Sequence, residues 1–367
     1  MRLLFAASPA ELAERERLFD AAAAFWRAVE HDAEPNEAIA CVHPELYVER
    51  GPRDAAALLL RCERRALRPL VDAVIERAPA GWRGRAFGRL PAIDVKQTES
   101  IIRERLDIDV SQGRARAGFT RGHLLEIVVM LPGAEERADG ACDAAEAACE
   151  SLLGEERLDD WVASVDVVAL PKRPSLPVLG APASASFPLA ELSAALDAAV
   201  AGLYAGLDAV PLHACERTQG WAMLETEPSS RVGSRQPDLV MATTFVPEML
   251  KSFLQGDPFS SRRFSRAGER FAYLAVDGEG KSPAARLPFR RAVEDSLDRE
   301  LSRAALGCVV GNGVGVHHDY INLALTEVCR GVELVRDVAR RMAAPQRSRI
   351  LFCDSDWADE WVGVWEA

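Results

Sequence analysis

Four consecutive side chains, His317-His318-Asp319-Tyr320, are of the types that acid–base chemistry and metal binding use: imidazoles that titrate near neutrality, a carboxylate and a phenol. The run reads as a strand, in which neighbours point to opposite faces. His317 and Asp319 then share one face, and His318 and Tyr320 the other. Two groups per face fall short of the three or four protein ligands of a zinc site, and no H-x-x-x-H or cysteine pair lies nearby. No metal is expected. His317 and Asp319 stand as acid–base candidates beside the plainer reading of solvated or hydrogen-bonded strand residues. Just upstream lies Gly311-Asn312-Gly313-Val314-Gly315. A glycine-rich loop cradles phosphate where it joins a strand to a helix. Here it leads into a second strand-like run and lacks the Lys-Ser/Thr pair of a P-loop, so it is expected to be the turn of a β-hairpin.

Three further clusters suit binding rather than catalysis. Arg262, Arg263, Arg266 and Arg270 alternate with serines and phenylalanines, and guanidinium forks grip phosphate or carboxylate in pairs. Residues 257–291 hold eight basic and four acidic side chains. This basic stretch is expected to meet an anion or an acidic partner, or else to pair with the protein's own acidic excess. The segment 354–366 carries Trp357, Trp361 and Trp365 among five acids. Tryptophan is a frequent interface anchor, so these three are candidates for a partner surface, with packing on the protein's own sheet as the alternative. Its carboxylates lack the alternation and glycine of a calcium loop. Finally, Arg61, Arg64, Arg65 and Arg68 cluster before a helix start, where a cation opposes the helix dipole and suits an external anion.

The elements that must position these groups follow from periodicity. Ser8-Pro9-Ala10-Glu11 is a capping box that opens a helix, continued by Leu12, Phe19, Ala22, Trp26 and Val29. Strand-like runs at 46–49 and 57–62 precede a helix from about Pro69, and 82–87 alternates like a strand. An irregular stretch leads to a hairpin at 114–131 around Arg121-Gly122, a helix through Cys142 and Cys149, and a strand at 165–170. Five prolines in residues 171–188 mark a linker. Beyond it come a helix from Leu189, strands at 221–225 and 239–246, and a short helix at 247–254. Residues 269–354 then read β-α-β-β-α-β, the split βαβ order. The same order is legible from residue 57 to 170. The expected fold is therefore α+β: two ferredoxin-like (βαββαβ) sandwich units, 1–170 and 189–367, joined by the linker. Each would carry its helices on one sheet face, leaving the other free.

Composition limits the function classes. The chain has 367 residues, 49% of them hydrophobic, which is enough for real cores and too many for a disordered chain. A formal charge of -12 argues against a general nucleic-acid or anionic-membrane binder. Phe271, Tyr273 and Tyr320 sit on candidate strands, but the Lys/Arg-Gly-Phe/Tyr pattern of RNA-binding sheets is absent. Only four of the 44 basic residues are lysine, so arginine is the default cation here and no single one is informative. Eight dispersed cysteines without C-x-x-C spacing fit a reducing cytoplasm. The apolar run Leu3–Ala7 is too short for a secretory signal, and no apolar run of about 18 residues is expected elsewhere for a membrane span. No catalytic triad, paired-carboxylate motif or dinucleotide fingerprint appears, and no cofactor is expected.

Ala78-Pro79-Ala80-Gly81-Trp82, Gly154-Glu155, Gly311–Gly315 with Tyr320-Ile321-Asn322-Leu323, and 350–365 together resemble bacterial proteins of unknown role that combine ferredoxin-like units. The last unit is also similar in topology to regulator of ribonuclease E activity B, an acidic ferredoxin-like inhibitor. The resemblance assigns no functional residue. Interface-type residues clustered without catalytic spacing lead to the expectation of a cytoplasmic, non-enzymatic binding or regulatory protein that acts through contact with another protein. The alternative is an enzyme or binder for an anionic ligand that uses the Arg262–Arg270 loop.

Overall fold

The computed structural model describes residues 2–51, 56–120, 122–135, 138–170, 186–216, 221–226, 238–256 and 258–365. Helices and strands are mixed throughout, in several sheets, as an α+β reading requires. Contacts divide the chain differently from the expected halves. One compact unit joins Met1–Gly88 to Leu207–Ala367, and the other is Arg89–Gly206. Most of the expected linker, 171–185, lies outside the described residues. Its last two residues, Phe187 and Pro188, pair as a strand with Ala115 and Arg114. Prolines mark where regular structure is interrupted. They do not decide which segments bury each other's apolar faces.

The chain begins in the first unit. Helix α1 (Pro9–Glu30) starts on the capping box read from the sequence: Ser8 Oγ accepts from the Glu11 amide, and Glu11 accepts from the Ser8 amide. Helix α2 (Pro35–Ala40), strands β1 (Leu46–Arg50) and β2 (Leu58–Cys62), helix α3 (Arg68–Glu76) and the two-residue β3 (Ala86–Phe87) follow. The sheet order is β1-β2-β3, and Leu18, Phe25, Trp26, Leu58, Leu60 and Val74 form its core. Trp26 donates Nε1–H to Val74 O at 2.7 Å, which satisfies its buried polar edge. The strand expected over 82–87 shrinks to β3: Ala80–Trp82 form a 3₁₀ turn, and Gly84 sits at φ +77°, which ends any extended run.

The second unit contains α4 (Val95–Leu106), β4 (Arg114–Phe119), β5 (Leu125–Leu131), α5 (Ala138–Leu153), α6 (Glu155–Trp161), β6 (Val162–Ala169), β7 (Phe187–Pro188) and α7 (Leu192–Gly206). Helix α4 lies in the stretch read as irregular. Only Thr98 and Ile102 of it are buried, too few for a visible stripe, and Asp94 caps it by accepting from the Gln97 amide at 3.0 Å. The sheet order is β6-β5-β4-β7, with β5 and β6 parallel. Strands β2 and β3 therefore belong to one sheet and β4, β5 and β6 to another. The βαββαβ unit expected in the first half is not a single sheet, because element order along a chain leaves the choice of pairing partner open. The window Leu189–Gly206 has a mean hydropathy of 1.2, enough by length and composition alone to cross a membrane; Leu189, Leu192 and Leu196 pack into this unit's core.

The chain then returns to the first unit with β8 (Ala222–Glu225), β9 (Leu239–Thr244), α8 (Pro247–Gln255), β10 (Arg270–Asp277), α9 (Pro283–Arg303), β11 (Gly307–Gly315), β12 (His318–Leu325), α10 (Val328–Arg341), β13 (Arg349–Phe352) and β14 (Trp361–Gly363). These strands form one seven-stranded antiparallel sheet, ordered β14-β13-β10-β12-β11-β9-β8. Within the run 269–354 the four strands lie fourth, first, third, second. On one face, Ala272, Leu274 and Val276 meet Val293 and Leu297 of α9 and Val335 and Val338 of α10. The opposite face was expected to be free. It is covered: Phe271, Tyr273 and Ala275 pack against Met249, Leu250 and Phe253 of α8 and against Phe259 and Phe264. Two buried faces explain why β10 reads as a continuous apolar run without alternation.

The glycine segment 311–315 is not a turn. It is the end of β11, and the turn falls at Val316-His317. A Cβ on Gly311 would stand 2.6 Å from Thr243 O, and one on Gly315 would stand 2.8 Å from Asp238 O. These glycines let β9 and its leading residue approach β11 closely.

Candidate functional site

The four arginines of 262–270 do not converge. Ser261 anchors the segment: its amide and hydroxyl donate to the two oxygens of buried Asp354, and its Oγ accepts from the Phe271 amide at 3.0 Å. That anchoring turns the next side chain inward. Arg263 is fully buried, donates to Pro258 O at 2.7 Å, and lies near the rings of Phe259 and Phe264. Arg270 pairs with Asp354 at 3.0 Å and lies over the Trp357 ring. Arg262 and Arg266 are exposed. Two of the four serve the interior of the protein, and no common anion cradle remains.

The acidic, tryptophan-rich end is similarly engaged. Asp356 meets Arg65 at 3.1 Å and Arg68 at 3.2 Å, and Asp359 meets Arg64 at 3.2 Å. The basic turn and the acidic end, which read as separate sites in the sequence, are partners. Glu360 is buried and accepts from the amides of Leu3, Leu4 and Phe5 at 2.6, 3.0 and 3.1 Å. Trp357 stacks edge-on against Phe352 and Phe5, and Trp361 lies 3.7 Å beneath the Arg2 guanidinium. Arg2 also bonds Glu11, which holds the Glu11 carboxyl well below its usual range, at about 2. Trp365 keeps 39% exposure and donates Nε1–H to Ala344 O.

The residues 317–320 sit where β12 begins, and they separate as the alternation rule requires. Tyr320 faces the α8 side, packs edge-on against Tyr273 and donates its hydroxyl to Asp238. Burial and the Asp238 carboxylate both push its phenol further up, so it stays protonated. Asp238 also accepts from the His317 amide, and its Oδ1 lies 3.8 Å from His318 Nδ1. Asp319 faces α9 and is 2% exposed. Its Oδ1 lies 3.5 Å from Arg286 Nη2 and has no hydrogen-bond partner. Burial pushes its carboxyl up, while Arg286 and Arg290 pull it back. His317 is exposed in the turn. Asp319 is buried beside Arg286 whereas His317 is exposed, so the two acid–base candidates do not act on one point.

What does gather around His317 is a cleft of about 610 Å³ lined by Lys281, Arg286, Arg347, Arg349, His317, His318, Val316, Gly280 and Asp277. It lies at one end of the large sheet, where β10 ends, β12 and β13 begin, and α9 starts. Four cationic side chains line it; Lys281 pairs with Glu279 and Arg286 lies 3.5 Å from Asp319, while Arg347 and Arg349 have no carboxylate partner among the described residues. Lys281 and Arg286 flank the N-terminus of α9, whose dipole adds positive potential. Arg286 is 5% exposed and held by Gly315 O, which accepts from Nη2 at 2.8 Å; its Nε has no hydrogen-bond partner. A Cβ on Gly278 would stand 2.6 Å from His317 O and would collide with Arg286, so only glycine leaves Arg286 this path. A second, smaller recess of about 330 Å³ is lined by Thr243, Arg290, Arg291, Glu294, Asp295 and Asn312. There burial raises the Glu294 carboxyl, against the Asn312 amide that donates to it at 2.9 Å.

Sequence reasoning found His317, and it found the basic stretch that contains Lys281 and Arg286. It missed Arg347, Arg349 and Asp238. One usable signal was present: Lys281 and Arg286 surround a helix start at Ser282-Pro283, where cations oppose the dipole, the same argument applied to Arg61–Arg68. Arg347 and Arg349 carry no local signal; only the pairing of β13 with β10, which pairs in turn with β12, brings them to the same end of the sheet as His317. Among the described residues no cluster of three His, Cys, Asp or Glu is arranged to hold a metal ion. No family model matches the chain, and no curated protein or solved structure resembles it closely enough to count as a match.

Proposed function

We propose that the protein binds a small anionic molecule in the cleft bounded by Lys281, Arg286, Arg347 and Arg349, without transforming it. The observation that carries this reading is a concave site lined by four cations, two of which, Arg347 and Arg349, have no carboxylate partner among the described residues, on a chain of net charge -12. Ligand sites are clefts of about this size with a few convergent polar groups. Contact with another protein through the tryptophans has less support, because Trp357 and Trp361 are engaged by Phe5, Phe352 and Arg2; Trp365 alone remains substantially exposed. We also read residues 269–354 as one ferredoxin-like unit, extended by β14 on one side and by β9 and β8 on the other. The strand order and the two helices on one face support it.

The test is thermal unfolding of the intact protein with pyrophosphate and with citrate, for the wild type and for Arg347→Ala/Arg349→Ala. Both substituted side chains are exposed. Saturating anion stabilises a folded protein by about 2.7 kcal/mol at a hundred times its dissociation constant. The wild type should show a rise in Tm that the double variant lacks. Equal shifts in both proteins, or none in either, would overturn the proposal.

A further inference from the structure

We infer that the anion held in this cleft is the phosphomonoester group of a small polar molecule; the inference rests on the anion-binding reading above. The first reason is donor supply. Arg347 has no hydrogen bond or ion pair among the described residues, and Arg349 has no carboxylate partner among them, its guanidinium lying over the Trp361 ring 6.0 Å from the centroid. Two complete guanidinium forks are therefore uncommitted, and Arg286 adds an Nε without a partner. One fork saturates the two oxygens of a carboxylate. A phosphomonoester presents three terminal oxygens and accepts from several forks at once.

The second reason is charge. Lys281 is paired with Glu279 at 2.8 Å, and Asp277 is the single lining carboxylate, its Oδ1 accepting from the Glu279 amide. Arg286 in turn lies 3.5 Å from Asp319, so the two cations without a carboxylate partner among the described residues are Arg347 and Arg349; a phosphomonoester, at about -1.5 to -2 at neutral pH, matches both, and a monocarboxylate matches one. The N-terminus of α9, 21 residues long, adds its own preference for that charge. The third reason is size. A cleft of about 610 Å³ exceeds what a bare phosphate ion fills, and Val316, 49% exposed, offers apolar surface beside the histidines. An attached organic group has somewhere to lie. The chain's net charge of -12 disfavours an extended polyanion such as nucleic acid, which would have to approach the whole surface and not one cleft.

Isothermal titration of the intact protein with inorganic phosphate, glucose 6-phosphate, phosphoserine and citrate tests this, using the wild type, Arg347→Ala/Arg349→Ala and Lys281→Ala. At least one phosphate-bearing probe should bind more tightly than citrate, and at least about tenfold more weakly to the double variant. The affinity should fall as salt is added. Citrate binding that equals or exceeds every phosphate probe overturns the phosphomonoester assignment and leaves the anion site standing. Absence of binding by all four probes, or binding that is the same in all three proteins, overturns both. Circular dichroism confirms that the variants are folded.

Discussion

Replacing Glu360 with alanine should release the N-terminal strap from the large sheet, and the cost follows from the geometry. One carboxylate accepts three backbone amides, those of Leu3, Leu4 and Phe5. A hydrogen bond to a charged acceptor contributes about 1.5–3 kcal/mol, and a buried donor left alone loses its full solvation. Only the Leu3 amide is fully buried here; those of Leu4 and Phe5 reach water when the strap lifts. The loss expressed in Glu360→Ala should therefore be about 3 kcal/mol, close to one full desolvation penalty and two partial ones. Glu360→Gln keeps an acceptor without the charge and should lose about half as much. The strap carries more than these bonds, since Arg2 stacks on Trp361 and bonds Glu11 at the start of α1. Hydrogen exchange of the three amides is the direct assay, with urea unfolding beside it. A loss of 3 kcal/mol corresponds to exchange faster by about two orders of magnitude. Protection of Leu3 within about threefold of wild type in Glu360→Ala, with unfolding free energy changed by less than about 0.5 kcal/mol, would refute the reasoning.

Two further outcomes follow from the same sheet. Gly311→Ala places a methyl group 2.6 Å from Thr243 O, so β9 must shift; overpacking of this kind costs about 1–3 kcal/mol, and an unchanged urea midpoint would show that β9 does not press on β11 as described. Glu294 has a carboxyl raised chiefly by burial, so the native state holds its proton more tightly than the unfolded chain does, and stability falls as pH rises from about 4.5 through the raised value. Glu294→Gln keeps the Asn312 bond and removes the charge, so it should unfold at higher temperature than wild type at neutral pH and at the same temperature below about pH 4.5; parallel profiles across that range would contradict this.

Much of the local structure was legible in the sequence. The helix at Ser8, the strands at 46–50, 58–62, 239–244 and 270–277, and the helices at 328–341 and 283–303 stand where capping and periodicity put them. The opposite facing of Asp319 and Tyr320 was legible as well, because a strand's alternation leaves no choice. Helix α4 escaped for a physical reason: with two buried positions it has almost no stripe to read. The candidate site was half legible. His317 and the basic stretch through Arg286 were visible, whereas Arg347 and Arg349 were not, since nothing within several residues of them distinguishes them from other surface arginines.

The amino-acid sequence by itself determined the type and approximate place of the strongly patterned helices and strands, because caps, prolines and apolar spacing act over a few residues. It could not determine the sheets. Whether β2 pairs with β3 or with β5, and whether the glycines of 311–315 turn or run on, depends on which distant segment comes alongside. Nor could it assign the charges. Arg65 and Asp356 looked like two separate recognition sites until folding placed them 3.1 Å apart across 291 residues of chain. The same folding left Arg347 and Arg349 without a carboxylate partner among the described residues. An ion pair is a relation between positions in space, and the electrostatic excess that marks the cleft exists only after every other charge has found its neighbour.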